Sequence, residues 1–358
     1  MLEFTQKISR MPVYPTAGGY SLGDEYAMLA SNEAAFGPLP QVAEAAKRAL
    51  ANVNRYPDPS NMRLRHALAE RTDVPPERIA IGAGSADLLL SAAEALLEPG
   101  AEVIYGWPSF SVYPQMAAAT GARAIRVPLD EDHRYDLDAM LAEITVATRL
   151  VLLCNPNNPS STSHPLAAIE AFIERVPRYV CVIVDEAYCE FSTLDDPDSS
   201  LELIRRYPNV VLLRTFSKVY GLAGLRVGYG LCGDERFRVA VEQVRQPFFC
   251  NSLAQAAAEE ALKYQDEVTR RVEGVIAERM GVSQELRELG LEVADSQANF
   301  VWHGLPDEVD EKAVLTGLHE RGVIVRAGSS LGRDGWFRVT TGTPSENQRF
   351  LGALRELI

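Results

Sequence analysis

Between residues 78 and 230 the chain alternates short apolar runs, largely β-branched, with longer stretches whose apolar positions recur at helical spacing. The runs are Arg78–Ile81, Glu102–Tyr105, Ala122–Val127, Leu150–Cys154, Val180–Val184, Val210–Arg214 and Leu225–Leu231. Several are apolar on both faces, as strands covered by helices on each side must be. Strand and crossover helix in repeated alternation predict an α/β domain. Beyond it, Asp234–Leu289 reads as helical sequence rich in Ala, Glu and Arg, broken near Pro247 and Asn251. The pattern then changes again: Asn299–Trp302, Val323–Arg326 and Trp336–Thr340 read as strands, with a helix around Asp310–Arg321. That is a small α+β unit. Residues 1–30 are punctuated by Pro and Gly and show no period, so they are expected to pack along the outside as an arm. The expected plan is an arm (1–30), a large domain (31–245) and a small C-terminal domain (246–358).

Composition narrows the class. With 358 residues, 47% hydrophobic and 23% charged, the chain can bury a sizeable core without covalent staples. Its five cysteines (Cys154, Cys181, Cys189, Cys232, Cys250) show no CxxC spacing and read as reduced core thiols. No charged-then-apolar leader opens the sequence and the longest apolar stretches are strand-sized, so the cytoplasm is the expected location and no membrane partner is predicted. A net charge of −14 disfavours a nucleic-acid surface. It leaves anionic small molecules open, since a few buried arginines can hold them against the global field.

The chemistry gathers at the predicted carboxyl ends of the strands, where open α/β sheets place their ligands. Ser217-Lys218 follows the run Val210–Leu213 and precedes the Gly-rich segment Gly221–Arg226. Alone it would read as a surface lysine at a strand end. Asp185-Glu186-Ala187-Tyr188 follows Val180–Val184, putting an acid at the end of a neighbouring strand. Asn155-Pro156-Asn157-Asn158-Pro159 closes another strand, and its prolines fix a turn there. Gly82-Ala83-Gly84-Ser85-Ala86-Asp87 lies between a strand and a helix, where small residues and the helix dipole suit an anion. Ser217 and Arg226 can reach the same anion, and Phe110, just past another strand, can stack on a flat ring. The chemistry that needs a lysine, an acid, an anion cradle and an aromatic plate together is that of pyridoxal 5'-phosphate, whose ring nitrogen needs an acid to stay protonated.

Assembled in this order, the residues resemble the fold-type I aminotransferases and, within them, the histidinol-phosphate aminotransferase family. The likeness runs nearly end to end: Ser31-Asn32-Glu33, Phe36-Gly37-Pro38, Arg55-Tyr56-Pro57-Asp58, the Gly-Ser loop, Asn155–Pro159, Asp185–Tyr188, Thr215–Arg226 and Arg338–Thr343. It implies a large, mostly parallel seven-stranded sheet beside a smaller α+β domain. It also implies roles. Lys218 resembles the Schiff-base lysine that shuttles the proton, Asp185 the partner of the pyridinium, Tyr188 and Asn158 the ligands of the ring oxygen, and Phe110 the stacking aromatic. The phosphate would meet the backbone of Ser85 and Ala86 with Ser217 and Arg226, and Tyr56 from a neighbouring subunit, which implies a homodimer. Arg338 is similar to the arginine that clamps the donor's anionic group, with Tyr14, Tyr20 and Arg326 expected in the same pocket and no metal. Phe110 in place of the family's tyrosine, and Ser160-Ser161 in place of Thr-Gly, resemble the actinobacterial aromatic amino acid aminotransferase branch.

The reaction so implied is a ping-pong transamination between phenylalanine, tyrosine or tryptophan and 2-oxoglutarate. Histidinol phosphate is the alternative donor. A decarboxylase or lyase on the same scaffold is a second alternative, because the cofactor stabilises any Cα carbanion. A regulatory, non-catalytic cofactor-binding domain would need a DNA-binding module, and no basic helix-turn-helix segment is visible in this acidic chain.

Overall fold

The computed structural model describes residues 2–11, 13, 23 and 25–358. A two-residue strand, β1 (Ala27–Met28), precedes the main sheet. That sheet is built from β2 (Ile79–Gly82), β3 (Glu102–Trp107), β4 (Arg123–Pro128), β5 (Thr148–Cys154), β6 (Cys181–Asp185), β7 (Val210–Thr215) and β8 (Gly228–Cys232). Its order is β2-β8-β7-β6-β5-β3-β4, seven strands in all. β8 alone runs opposite to the other six strands, so the sheet is mostly parallel, as expected. Every residue of β7 and nearly all of β3, β5 and β6 are buried, which is why these strands read as unbroken apolar runs rather than alternating ones. Each predicted run lies within about three residues of its strand, the offset expected of boundaries read from pattern alone.

The remaining strands are β9 (Phe300–Gly304), β10 (Val323–Ile324), β11 (Arg326–Ala327) and β12 (Trp336–Thr340). Here the expected single strand over Val323–Arg326 is two. The chain changes sheets at Val325: β10 pairs in parallel with β1, whereas β11 joins β12 and β9 in an antiparallel sheet. The expected breaks near Pro247 and Asn251 are present, and Asn251 caps the helix Ser252–Ala261 through its side chain. A further break, between Ala261 and Gln265, carries neither Pro nor Gly and was not legible.

Two apolar clusters carry most of the packing. The larger surrounds the seven-stranded sheet and takes in Ala254, Ala257, Ala258 and Ala261. The smaller joins Leu29, Val282, Leu286, Val301, Phe337 and Phe350. The long helix Gln265–Glu288 contributes Val268 and Val275 to the first and Val282 and Leu286 to the second. Packing therefore changes over inside this helix. None of the five cysteines is in a disulfide. Among the described residues, no helix is long and apolar enough to cross a membrane.

Candidate active site

A cavity of about 550 Å³ opens at the carboxyl ends of β5, β6 and β7. Parallel strands end there together, so side chains just beyond each strand converge although they are far apart in sequence. Lys218 and Asp185 both line it. Asp185 is the last residue of β6 and only 2% exposed. Its Oδ2 accepts the Tyr113 hydroxyl at 3.0 Å and its Oδ1 the Ala187 N–H at 3.3 Å. Among the described residues no basic side chain comes within ion-pair distance of it. Burial accordingly pushes its pKa up to about 6 despite the Tyr113 hydrogen bond.

Lys218 sits on the turn after β7, and its Nζ donates to the Ser31 carbonyl at 3.2 Å and lies 5.6 Å from the Tyr188 ring centre. Burial brings the amine down to about 7; Arg338 and Arg226 push the same way, and Glu33 and Asp185 oppose them. An acid moved up and an amine moved down in one cleft mark a site where protonation is cheap to change.

The Tyr188 hydroxyl accepts Asn32 Nδ2 at 3.1 Å and Asn158 Nδ2 at 3.4 Å. Asn158 Oδ1 in turn accepts Arg338 Nη1 at 2.6 Å, and Arg338 Nη2 donates to the Ala30 carbonyl. Arg326 and Arg338 stand directly opposite each other across β11 and β12, and both line the cavity. Like charges in register repel. Placing two guanidiniums there prepares the wall for an anion.

On another wall, the helix Ser85–Leu96 begins at the cavity, and Ser85, Ala86, Ser217 and Arg226 line it together. Gly84 has φ +86°, which favours glycine, and a Cβ there would lie 2.4 Å from Arg226 Nη2 and displace the guanidinium. Arg226 Nη1 donates to Ser217 Oγ at 3.2 Å. Asp87 holds the turn from outside, accepting the Ala83 N–H at 3.0 Å. Free backbone N–H groups at a helix start, a hydroxyl and a guanidinium make an anion cradle.

Phe110 also lines the cavity, edge-on to Tyr113 at 5.8 Å. Tyr56 does not: it is 81% exposed and stacks on Phe248 at 4.4 Å. Tyr14 and Tyr20 lie outside the described residues. Sequence reasoning missed Tyr113, although an aromatic three residues after Phe110 on a helix start is a readable pair. It also missed Ser31 and Leu331 as wall residues, and the side chain of Asn32, quoted only as part of a motif.

The family model for class I and II aminotransferases matches residues 24–354. An aromatic amino acid aminotransferase of Mycobacteroides abscessus is 46% identical over 90% of this chain and 90% of its own. One of Rhodococcus jostii is 46% identical over 90% of this chain and 88% of its own. Among solved structures, a histidinol-phosphate aminotransferase from Sinorhizobium meliloti in complex with pyridoxal-5'-phosphate superimposes with a TM-score of 0.86 at 29% identity. That match covers 100% of this chain and 98% of that one. A seven-stranded, mostly parallel sheet, a cavity at its carboxyl edge and a family match over nearly the whole length agree: the chain belongs to the class I and II aminotransferases and is an aminotransferase of fold type I.

Proposed function

We propose that this aminotransferase binds pyridoxal 5'-phosphate through Lys218 and moves the amino group of phenylalanine, tyrosine or tryptophan to 2-oxoglutarate. The residues fit that cofactor. Asp185 is a buried carboxylate with no ion-pair partner among the described residues, suited to a protonated ring nitrogen. The Ser85 and Ala86 amides with Ser217 and Arg226 suit a phosphate dianion. When bound, the cofactor supplies an electron sink for the pair left at the donor's Cα.

The chain supplies the rest. Lys218 Nζ, which burial brings down to about 7, takes the Cα proton and would return it to the cofactor carbon C4′. Asp185 would keep positive charge at the ring nitrogen, Tyr188 and Asn158 would hydrogen-bond the ring oxygen, and Phe110 would cover a ring face. Arg338, oriented by Asn158 Oδ1 and the Ala30 carbonyl, clamps the donor's carboxylate, with Arg326 facing it across the strand pair. Tyr56 would serve the phosphate of a second copy. Its exposure, stacked on the exposed ring of Phe248, supports a homodimer with that face inside it.

We read residues 1–30 as the arm, and the long helix Gln265–Glu288 as the bridge between the cofactor domain and the smaller one. The reduced cysteines suit the cytoplasm.

The observation that carries the cofactor reading is Lys218, Asp185 and the anion cradle on one cavity. The substrate reading rests on relatives at 43–46% identity, eight of them named aromatic amino acid aminotransferases. The facing arginines favour one second reading, histidinol phosphate, since a phosphate monoester also takes two guanidiniums. Comparing kcat/KM for phenylalanine and histidinol phosphate decides it: a higher value for histidinol phosphate overturns the first reading. Keto acid formed without release of CO2 separates transamination from decarboxylation.

A further inference from the structure

Leu331 reaches the cavity from the turn spanning residues 328–335, and that turn is pinned by its own backbone and by Glu311. The Arg333 N–H donates to the Gly328 carbonyl at 2.9 Å and the Gly335 N–H to Glu311 Oε2 at 2.6 Å, while Ser329 bonds the other Glu311 oxygen. Gly332 has φ +101°, and a Cβ there would lie 2.8 Å from Trp107 Nε1. All three tryptophans of the chain meet at this turn. Trp107 abuts Gly332, while Trp302 and Trp336, stacked at 5.3 Å, pack with Leu331 and Ala294 in a buried cluster of their own. The side chain so fixed is Leu331, 6% exposed, on the same cavity as Phe110, Arg326 and Arg338.

Among the described residues that line the cavity, Leu331 is the one large aliphatic side chain. The other apolar contributors are alanines, a glycine and a cysteine, or the rings of Phe110 and Tyr188, which the cofactor engages in the reading above. A pocket whose remaining side chains are all polar or charged would not retain an aromatic side chain over water without such a surface. We infer that Leu331 is a specificity-determining residue: the preorganised apolar wall on which the ring of an aromatic donor rests, held in place by Trp302 and Trp336. The inference rests on the aromatic-substrate reading and names the side chain that enforces it. A rigid wall binds the ring without having to be ordered first.

The test uses the holoenzyme with L331A and L331M. Phenylalanine and glutamate serve as donors, and 3-phenylpropionate and glutarate as unreactive ligands titrated by tryptophan emission. L331A should lower kcat/KM for phenylalanine by about 10- to 50-fold while changing that for glutamate less than about threefold. It should weaken 3-phenylpropionate about as much and spare glutarate, and L331M should restore most of both losses. Equal losses on both donors, or none on phenylalanine, would overturn the inference. A wild type that rejects phenylalanine defeats the substrate reading instead. The 3-phenylpropionate titration then still decides Leu331: binding weakened by L331A upholds the wall, and binding that is absent or unchanged removes it.

Discussion

Asp185 and Glu186 are consecutive, acidic and buried, and they meet opposite surroundings. Glu186 Oε2 accepts Arg214 Nε at 2.8 Å; Arg214 also reaches Asp198 at 3.1 Å, and Asp198 pairs with Arg71 at 2.8 Å. This network borders a second cavity of about 280 Å³ behind the strand ends. Asp185 faces the first cavity with a tyrosine hydroxyl and one backbone N–H, and no ion-pair partner among the described residues. A buried charge whose partner the chain provides maintains architecture. A buried charge left without one is held ready for a ligand, at some cost in stability.

Four predictions test that contrast. On the proposed role of Lys218 as the amine that moves the proton, K218A should lower phenylalanine transamination by about 10,000-fold or more, measured as phenylpyruvate formed. Next, D185N should cost about 100- to 1,000-fold in kcat yet leave the thermal midpoint of the apoprotein at pH 8 unchanged or higher, because the raised pKa means the charged form is unwelcome. E186Q should do the reverse: about 3 kcal/mol lost in denaturant unfolding, with near wild-type turnover per folded molecule. If the two variants behave alike, the contrast is wrong.

The third prediction concerns pH. The rate at which apoprotein takes up pyridoxal phosphate, followed by absorbance, should rise as pH passes about 7, where Lys218 loses its proton. R338M removes a charge that holds the amine down, so the midpoint should move upward. The smallest effect is expected at Glu190, which burial pushes up to about 7 on the second cavity. Its folded pKa lies above the unfolded value, so its contribution to stability is present at low pH and lost as pH rises through about 7. E190Q should therefore raise the thermal midpoint at pH 8 and leave it unchanged at pH 4.

Much of this was legible because the central strands are buried on both faces, which leaves a plain apolar signature at Val182–Val184 and Val210–Leu213. Cavity-lining residues next to strand ends, Lys218 and Asp185 among them, could be read from their place in that pattern. Contacts made across long separations could not. Tyr113 meets Asp185 over 72 residues, and Asn32 meets Tyr188 over 156, with no local pattern to announce either. The two strands around Val325 were fused in the reading because a change of sheet leaves apolarity unaltered: Val323, Ile324 and Val325 are all buried.

The most direct test is borohydride reduction of the holoenzyme followed by peptide mapping. Of the five lysines, Lys7, Lys47, Lys218, Lys263 and Lys312, only Lys218 should carry the pyridoxyl group, at close to one per chain. Label on another lysine, or none on Lys218, would contradict the account.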